Sequence, residues 1–218
     1  MSWKLVAFAS VSTTSHNVNW DDRYAGSEFA FGTEPNDFLR ECVETTNIAS
    51  ETIDILCIGD GEGRNGVFLA AAGHRVTTVD LSPVGVDKAR DLAKQYGVAV
   101  NSLVADLDNY DLGDVKWDLV VSIFCHMPPT LRTKVHREII AALRPGGSFL
   151  MEAYRPANVG RGVGGPQNPE LCVTLVEIEA QFSDFSFVVL REVEREIAEG
   201  KFHSGFSATT QILAQKPD

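Results

Sequence analysis

Ile53-Asp54-Ile55-Leu56-Cys57-Ile58-Gly59-Asp60-Gly61-Glu62-Gly63-Arg64-Asn65-Gly66 is the stretch whose reading decides the fold. A short apolar run enters a glycine turn, and helix-compatible residues follow. A strand that is apolar at every position is buried on both faces, as in a parallel sheet covered by helices. Glycine lets the chain turn sharply and lets a ligand approach the backbone. Two spacings overlap here: Gly59-x-Gly61-x-Gly63, and Gly61-x-Gly63-x-x-Gly66, which matches the dinucleotide fingerprint. Either spacing alone also fits a plain turn in an α/β fold.

Working outward, strand and helix alternate. Apolar runs predict further strands at 75–79, 98–104, 119–124 and 148–153. Helices are expected at 34–46, 66–72, 83–96 and 131–143; Ser82 caps the third and Pro83 suits its first position. After Tyr154 the rhythm breaks. A glycine-rich loop at 160–165 leads to a helix carrying Leu171, Leu175, Ile178 and Phe182. Two longer strands, 186–197 and 206–214, read as an antiparallel pair at the sheet edge. Residues 1–19 read as a flexible arm and 20–50 as an N-terminal cap. The 53–214 core completes one α/β domain spanning 1–218.

The 218 residues carry 19 Lys plus Arg against 30 Asp plus Glu, a net charge of −11. Such a surface repels phosphate backbones and argues against a nucleic-acid binder. No apolar run approaches the roughly 20 residues of a membrane span. Cys42, Cys57, Cys125 and Cys172 form no Cys-x-x-Cys pair. They read as reduced thiols of a cytoplasmic protein, and no metal site is expected.

Two acids sharpen the glycine loop. Asp80 closes the second strand about 20 residues beyond the loop, where a carboxylate meets ribose hydroxyls. Asp106 closes the third strand, where it accepts from an adenine amino group. Glu62 is an awkward neighbour for a pyrophosphate and a tolerable one for a cation. The ligand this describes is adenosine with a positive, phosphate-free tail.

On these residues the chain resembles the class I S-adenosylmethionine-dependent methyltransferases. The matching features are Gly59, Gly61, Gly63, Asp80, Asp106, the Leu143-Arg144-Pro145-Gly146-Gly147 turn and the reversed terminal hairpin. More narrowly, Trp20 to Tyr24 and Ala30 to Pro35 are similar to the segment that folds over the cofactor in the thiopurine and tellurite-resistance branch. The resemblance implies a Rossmann-like three-layer sandwich. Its seven-stranded, mostly parallel sheet would have the order 3-2-1-4-5-7-6, with strand 7 antiparallel. It also implies S-adenosylmethionine as cofactor. The acceptor would be a small molecule, with a soft nucleophile (thiol, selenium or tellurium species) as the family-level expectation. A monomer or weak homodimer is expected. A non-catalytic cofactor-binding or partner-binding module and an NAD-dependent oxidoreductase are the alternatives.

Roles follow from position. Gly59, Asp60, Gly61 and Gly63 form the loop against the methionine part, and Arg64 or Asn65 holds its carboxylate at the helix start. Asp80 and Leu81 take the ribose and adenine edge, and Asp106 and Leu107 take adenine. Ser122 and Ile123 lie at the carboxyl end of strand 4, where open α/β sheets bind ligands. Trp20, Arg23, Tyr24 and Phe31 belong to the lid, whose aromatic faces attract a sulfonium. His126 and His203 are the candidates to orient the acceptor or take its proton. Glu152, Tyr154 and Arg155 are expected to line the acceptor pocket.

Overall fold

The computed structural model describes residues 18–46, 48, 51–161 and 164–218. The arm expected over 1–19 therefore lies, except for its last two residues, outside the described residues. In chain order the elements begin with α1 (Trp20–Tyr24) and α2 (Asp37–Thr45). Then come β1 (Asp54–Ile58), α3 (Arg64–Ala71), β2 (Arg75–Asp80), α4 (Pro83–Tyr96), β3 (Val100–Val104) and β4 (Trp117–Ile123). Next are α5 (Pro129–Ala142), β5 (Leu143–Tyr154), α6 (Leu175–Gln181), β6 (Ser186–Ala198) and β7 (Ser204–Gln215).

The strands form one sheet of order β3-β2-β1-β4-β5-β7-β6. β7 runs antiparallel to both its neighbours, and the remaining pairs are parallel. The terminal pair is thus not simply appended. β7 inserts beside β5, and β6 forms the edge. Successive strand residues face opposite ways, so each apolar run feeds two cores. Leu56, Ile58, Val120, Phe149 and Met151 meet Val135, Ile139, Ile178 and Phe182 of α5 and its neighbour α6. Ile55, Cys57, Leu119, Val121 and Leu150 meet Phe38 and Leu39 of α2 and Leu69 of α3. Each fully buried aliphatic or aromatic side chain contributes about 1.5–3 kcal/mol.

Element ends move for local reasons. α3 starts at Arg64 rather than 66 because Gly63, at φ 88°, turns the chain into it. α2 starts at Asp37, where the Asn36 side chain accepts from the Leu39 N–H at 3.0 Å. Leu171 ends a separate 3₁₀ turn (Pro169–Leu171), and α6 begins later behind Thr174, whose hydroxyl accepts from the Glu177 N–H. β5 takes in the Leu143–Gly147 turn because Leu143 pairs with Trp117 across a register shift. No described helix is long and apolar enough to cross a membrane.

Candidate functional site

β1 is flanked by β2 and β4, so the strand order reverses beside it, and ligands of open α/β sheets bind outside the strand ends at such a point. The glycine loop lies there. Gly59, Gly61 and Gly63 all have positive φ (60°, 56° and 88°), which L side chains rarely adopt. Asp80 ties this loop to the next connection. Its Oδ2 accepts from Gly61 N–H at 2.8 Å and its Oδ1 accepts from Ser82 N–H at 2.9 Å. Burial pushes the Asp80 carboxyl above its usual range, against the pull of these backbone donors.

A cavity of about 210 Å³ opens over the loop. Gly59, Asp60, Gly61, Asp80, Leu81, Asp106, Leu107 and Ile123 line it, as do Arg64 and Asn65. Trp20, Tyr24 and Phe31 approach from the cap, and His126 and His203 from the far side. Three candidates lie elsewhere. Gly63 packs on α4, where an added Cβ would sit 2.5 Å from Ala89 Cβ. Ser122 is buried inside the sheet, between Ile58 and Met151. Arg23 lays its guanidinium over the Phe202 ring at 4.1 Å.

The cap is fastened by groups whose roles differ from those expected. Glu62 does not wait for a cation. Its Oε2 accepts from Ala30 N–H at 2.7 Å, and its Oε1 accepts from Lys88 at 2.6 Å. Trp20 stacks on Tyr24 with ring centroids 5.7 Å apart, and Tyr24 meets Phe31 edge-on at 6.1 Å. Ser82 donates its hydroxyl to Asp21 of α1.

Arg64 and Asn65 are also engaged already. Arg64 forms a buried ion pair with Glu199. Asn65 Oδ1 accepts from Asn36 N–H at 3.0 Å. Arg64 and Asn36 join a buried network around Glu152, which does not line the cavity. Glu152 accepts from Asn36 (2.6 Å), Arg195 (2.9 and 3.1 Å), Thr209 (2.8 Å) and Gln211 (2.9 Å). Arg195 also reaches Glu199 at 2.9 Å. Arg155 pairs with Glu192 and Glu194 on β6, and Tyr154 is fully buried beneath the cavity wall. The acceptor-pocket roles expected for Glu152, Tyr154 and Arg155 are therefore replaced by structural ones. Nothing local in the sequence pointed to this network, because its members lie on or beside five elements, α2, α3, β5, β6 and β7.

The far side of the cavity is aromatic. The His203 ring lies 4.4 Å from Phe31 and 4.6 Å from Phe124, and Phe124 stacks on Tyr154 at 4.7 Å. His126 stacks on Tyr154 at 5.6 Å, and its Nδ1 lies 3.0 Å from the Leu171 carbonyl. Burial, aided by the Arg132 charge, pulls the His126 imidazole down to about 4, and burial holds His203 well below its ordinary value. Both rings are therefore neutral near pH 7. Within the loop, burial pushes Asp60 up to about 7 although Gly66 N–H donates to it at 3.0 Å.

The composition of the lining tests which ligand fits. Asp60, Glu62, Asp80 and Asp106 line the cavity, and among the described residues its one cationic side chain, Arg64, is spent on Glu199. Among the described residues a pyrophosphate meets no free cation there. An uncharged adenosine with a positive tail meets carboxylates and aromatic faces, so the residues present fit S-adenosylmethionine. Phe124, Cys125, Met127 and Leu131 also line the cavity and were not anticipated. Their signal was only their proximity to the end of β4.

Comparison with known proteins agrees with this geometry. Residues 55–147 match the family model of a methyltransferase domain. A 2-heptyl-1-hydroxyquinolin-4(1H)-one methyltransferase of Mycobacteroides abscessus is 28% identical over 124 residues, 54% of this chain and 55% of that protein. The chain thus spans about half the length of that curated relative. A SAM-dependent methyltransferase from Methanosarcina mazei superposes with a TM-score of 0.66 at 19% identity, over 84% of this chain and 99% of that one. TehB from Haemophilus influenzae superposes with a TM-score of 0.67 at 16% identity, over 90% and 65% respectively. The glycine loop, the acids on β2 and after β3 and the sheet order agree with the match over residues 55–147, and over that stretch the chain is similar to a methyltransferase domain.

Proposed function

We propose that the chain acts as one unit over 1–218, with 20–50 as cap and 53–214 as core. In this reading it transfers a methyl group from S-adenosylmethionine to a small-molecule acceptor. The observation that carries the reading is the cavity lining: Asp80 and Asp106 at the ends of β2 and β3, with no unpaired cation among the described residues. When bound, S-adenosylmethionine supplies a methyl group activated by a sulfonium leaving group. The protein's work is then positioning and exclusion of water. Asp80 accepts from the ribose hydroxyls while holding Gly61, and Asp106 accepts from the adenine amino group. Trp20, Tyr24 and Phe31 cover the cavity from the cap.

The narrow roof favours a small acceptor over a folded macromolecule. The relative from Mycobacteroides abscessus is named for a heteroaromatic N-hydroxy substrate, which is in keeping with a small acceptor here. The thiopurine and tellurite resemblance adds thiol, selenium and tellurium species to the candidates. A cytoplasmic monomer or weak homodimer is the working assembly. Calorimetric titration of the full chain with S-adenosylmethionine, S-adenosylhomocysteine and NAD tests the reading. Binding of the first two at micromolar levels is expected, and tight binding of NAD alone would overturn it.

A further inference from the structure

We infer that Glu62 is a positioning residue that sets how fast the cofactor enters and leaves: together with Lys88 it latches the cap to the glycine loop, and exchange waits on the release of that latch. The inference deepens the methyltransferase reading and rests on it.

Phe31 covers the cavity from 25–36, a stretch without helix or strand between α1 and α2. A segment of this kind owes its position to specific contacts. Over 28–31 those contacts close a circuit. Glu62 Oε2 accepts from Ala30 N–H at 2.7 Å and from Phe31 N–H at 3.4 Å. Glu62 Oε1 accepts from Lys88 Nζ at 2.6 Å. The same Nζ donates to the Glu28 carbonyl at 2.7 Å and lies 5.3 Å from the centroid of the Phe29 ring. The carboxylate thus grips the turn by its N–H groups, the ammonium grips it by a carbonyl, and the two hold each other.

The foot of this latch is the cofactor loop itself. Glu62 stands between Gly61 and Gly63, both at positive φ, and it lines the cavity. An exposed ion pair would contribute little. Glu62 is buried, where charge-assisted bonds are strong and a lost partner is costly. A second clamp acts on the same residue from the other side, because Lys201 N–H donates to the Ala30 carbonyl at 3.0 Å. That bond joins two neutral groups, so the Glu62 side is the stronger of the two.

A ligand lying beneath Trp20, Tyr24 and Phe31 exchanges only when the roof lifts, and opening steps of this kind limit many exchange rates. A group that holds the roof shut with or without ligand slows entry and exit alike and leaves affinity nearly unchanged. A group that touches the ligand slows exit alone. A group that only supports the fold changes Tm and neither rate. The three roles are therefore separable by kinetics.

The test uses the full chain, Glu62→Ala, Glu62→Gln and Lys88→Met, with S-adenosylhomocysteine as the probe. Stopped-flow tryptophan fluorescence, to which Trp20 in the roof contributes, gives kon and koff. Calorimetry gives Kd and Tm. Glu62→Ala should raise kon and koff together by about tenfold, the scale of one lost charged hydrogen bond, while Kd changes far less. Glu62→Gln keeps an oxygen for Ala30 N–H and loses the ion pair, so both rates should rise by a smaller factor. Lys88→Met should move both rates in the same direction with the loop sequence intact, and it decides by the same criterion if Glu62→Ala does not fold. Unchanged kon and koff in Lys88→Met, or a rise in koff matched by an equal loss of affinity, would overturn the inference. Failure of wild type to bind S-adenosylhomocysteine at all would instead overturn the cofactor reading beneath it.

Discussion

Asp80→Asn separates the loop-bracing job that the structure shows for this carboxylate from the ribose contact proposed for it. Oδ2 holds Gly61 N–H at 2.8 Å and Oδ1 holds Ser82 N–H at 2.9 Å, so the side chain fixes the glycine loop against the start of α4. An amide keeps one acceptor and turns the other into a donor facing an N–H. One charge-assisted bond is lost, about 1.5–3 kcal/mol. Burial already raises the Asp80 pKa, so removing the charge also relieves part of its desolvation cost. The stability loss should therefore fall near 1.5 kcal/mol, which lowers Tm by roughly 3–6 °C at this chain length. The ribose hydroxyls lose a charged acceptor as well. A further loss of about 1.5–3 kcal/mol is expected in binding, roughly ten- to 150-fold in Kd. Scanning calorimetry of the free protein reads the first effect, and isothermal titration with S-adenosylhomocysteine reads the second. A lowered Tm with an unchanged Kd would show that Asp80 only braces the loop, and the ribose assignment would fall.

Glu152→Leu leaves Arg195 short of its main partner inside the protein, a loss of about 3–5 kcal/mol for a broken buried pair. Because Glu199 still reaches Arg195 at 2.9 Å, a Tm drop of roughly 6–12 °C is expected, and an unchanged Tm would remove the network from the fold's support. Asp60 is protonated more readily folded than unfolded, with its pKa raised to about 7. Its stabilising proton is fully present below about pH 4 and is lost as pH rises through 7. Asp60→Asn should therefore gain stability relative to wild type between pH 4 and 8, by a few kcal/mol in urea titrations; a difference independent of pH would contradict the burial argument. Gly200, at φ 74°, packs so closely on the Phe31 backbone that an added Cβ would overlap it. Gly200→Ala should speed S-adenosylhomocysteine dissociation in stopped-flow traces and open the 20–33 segment to limited proteolysis, and equal rates would show that the cap does not bear on the cavity.

The parts of the molecule legible in the sequence are those whose physics is local. β1 is apolar from Ile55 to Ile58 and β4 from Leu119 to Val121 because both faces are covered there, and the runs themselves say so. The Gly59–Gly63 turn needs positive φ, which only glycine supplies freely, so its place is written in three residues. Asp80 follows because it ends the next strand. Pairings across the sheet leave no such mark. In sequence Arg64 and Glu152 read as pocket residues, and Asn36, Arg195 and Glu199 carry no signal at all. They become a buried network only once α2, α3, β5 and β6 are packed together. Glu62 was misread for the same reason: its partners, Ala30 N–H and Lys88, are 32 and 26 residues away. The ends of β5 also depend on a distant strand, because Leu143 is drawn into the sheet by Trp117.

The network also explains why segments remote in sequence build one roof. The cap before β1 supplies Trp20, Tyr24 and Phe31, and the β6–β7 turn supplies His203. Left to loop chemistry alone, each would move independently. Here Lys201 N–H donates to the Ala30 carbonyl at 3.0 Å, Arg23 stacks on Phe202, and Asn36 donates to both Glu152 and Glu199. Glu199 in turn holds Arg64, the first residue of the helix that follows the glycine loop. A displacement of the hairpin therefore reaches both the roof and the floor of the cavity. Burying so many charges is costly where each could instead be apolar. The arrangement is physically reasonable if cap, hairpin and loop must keep one relative position around whatever ligand the cavity holds.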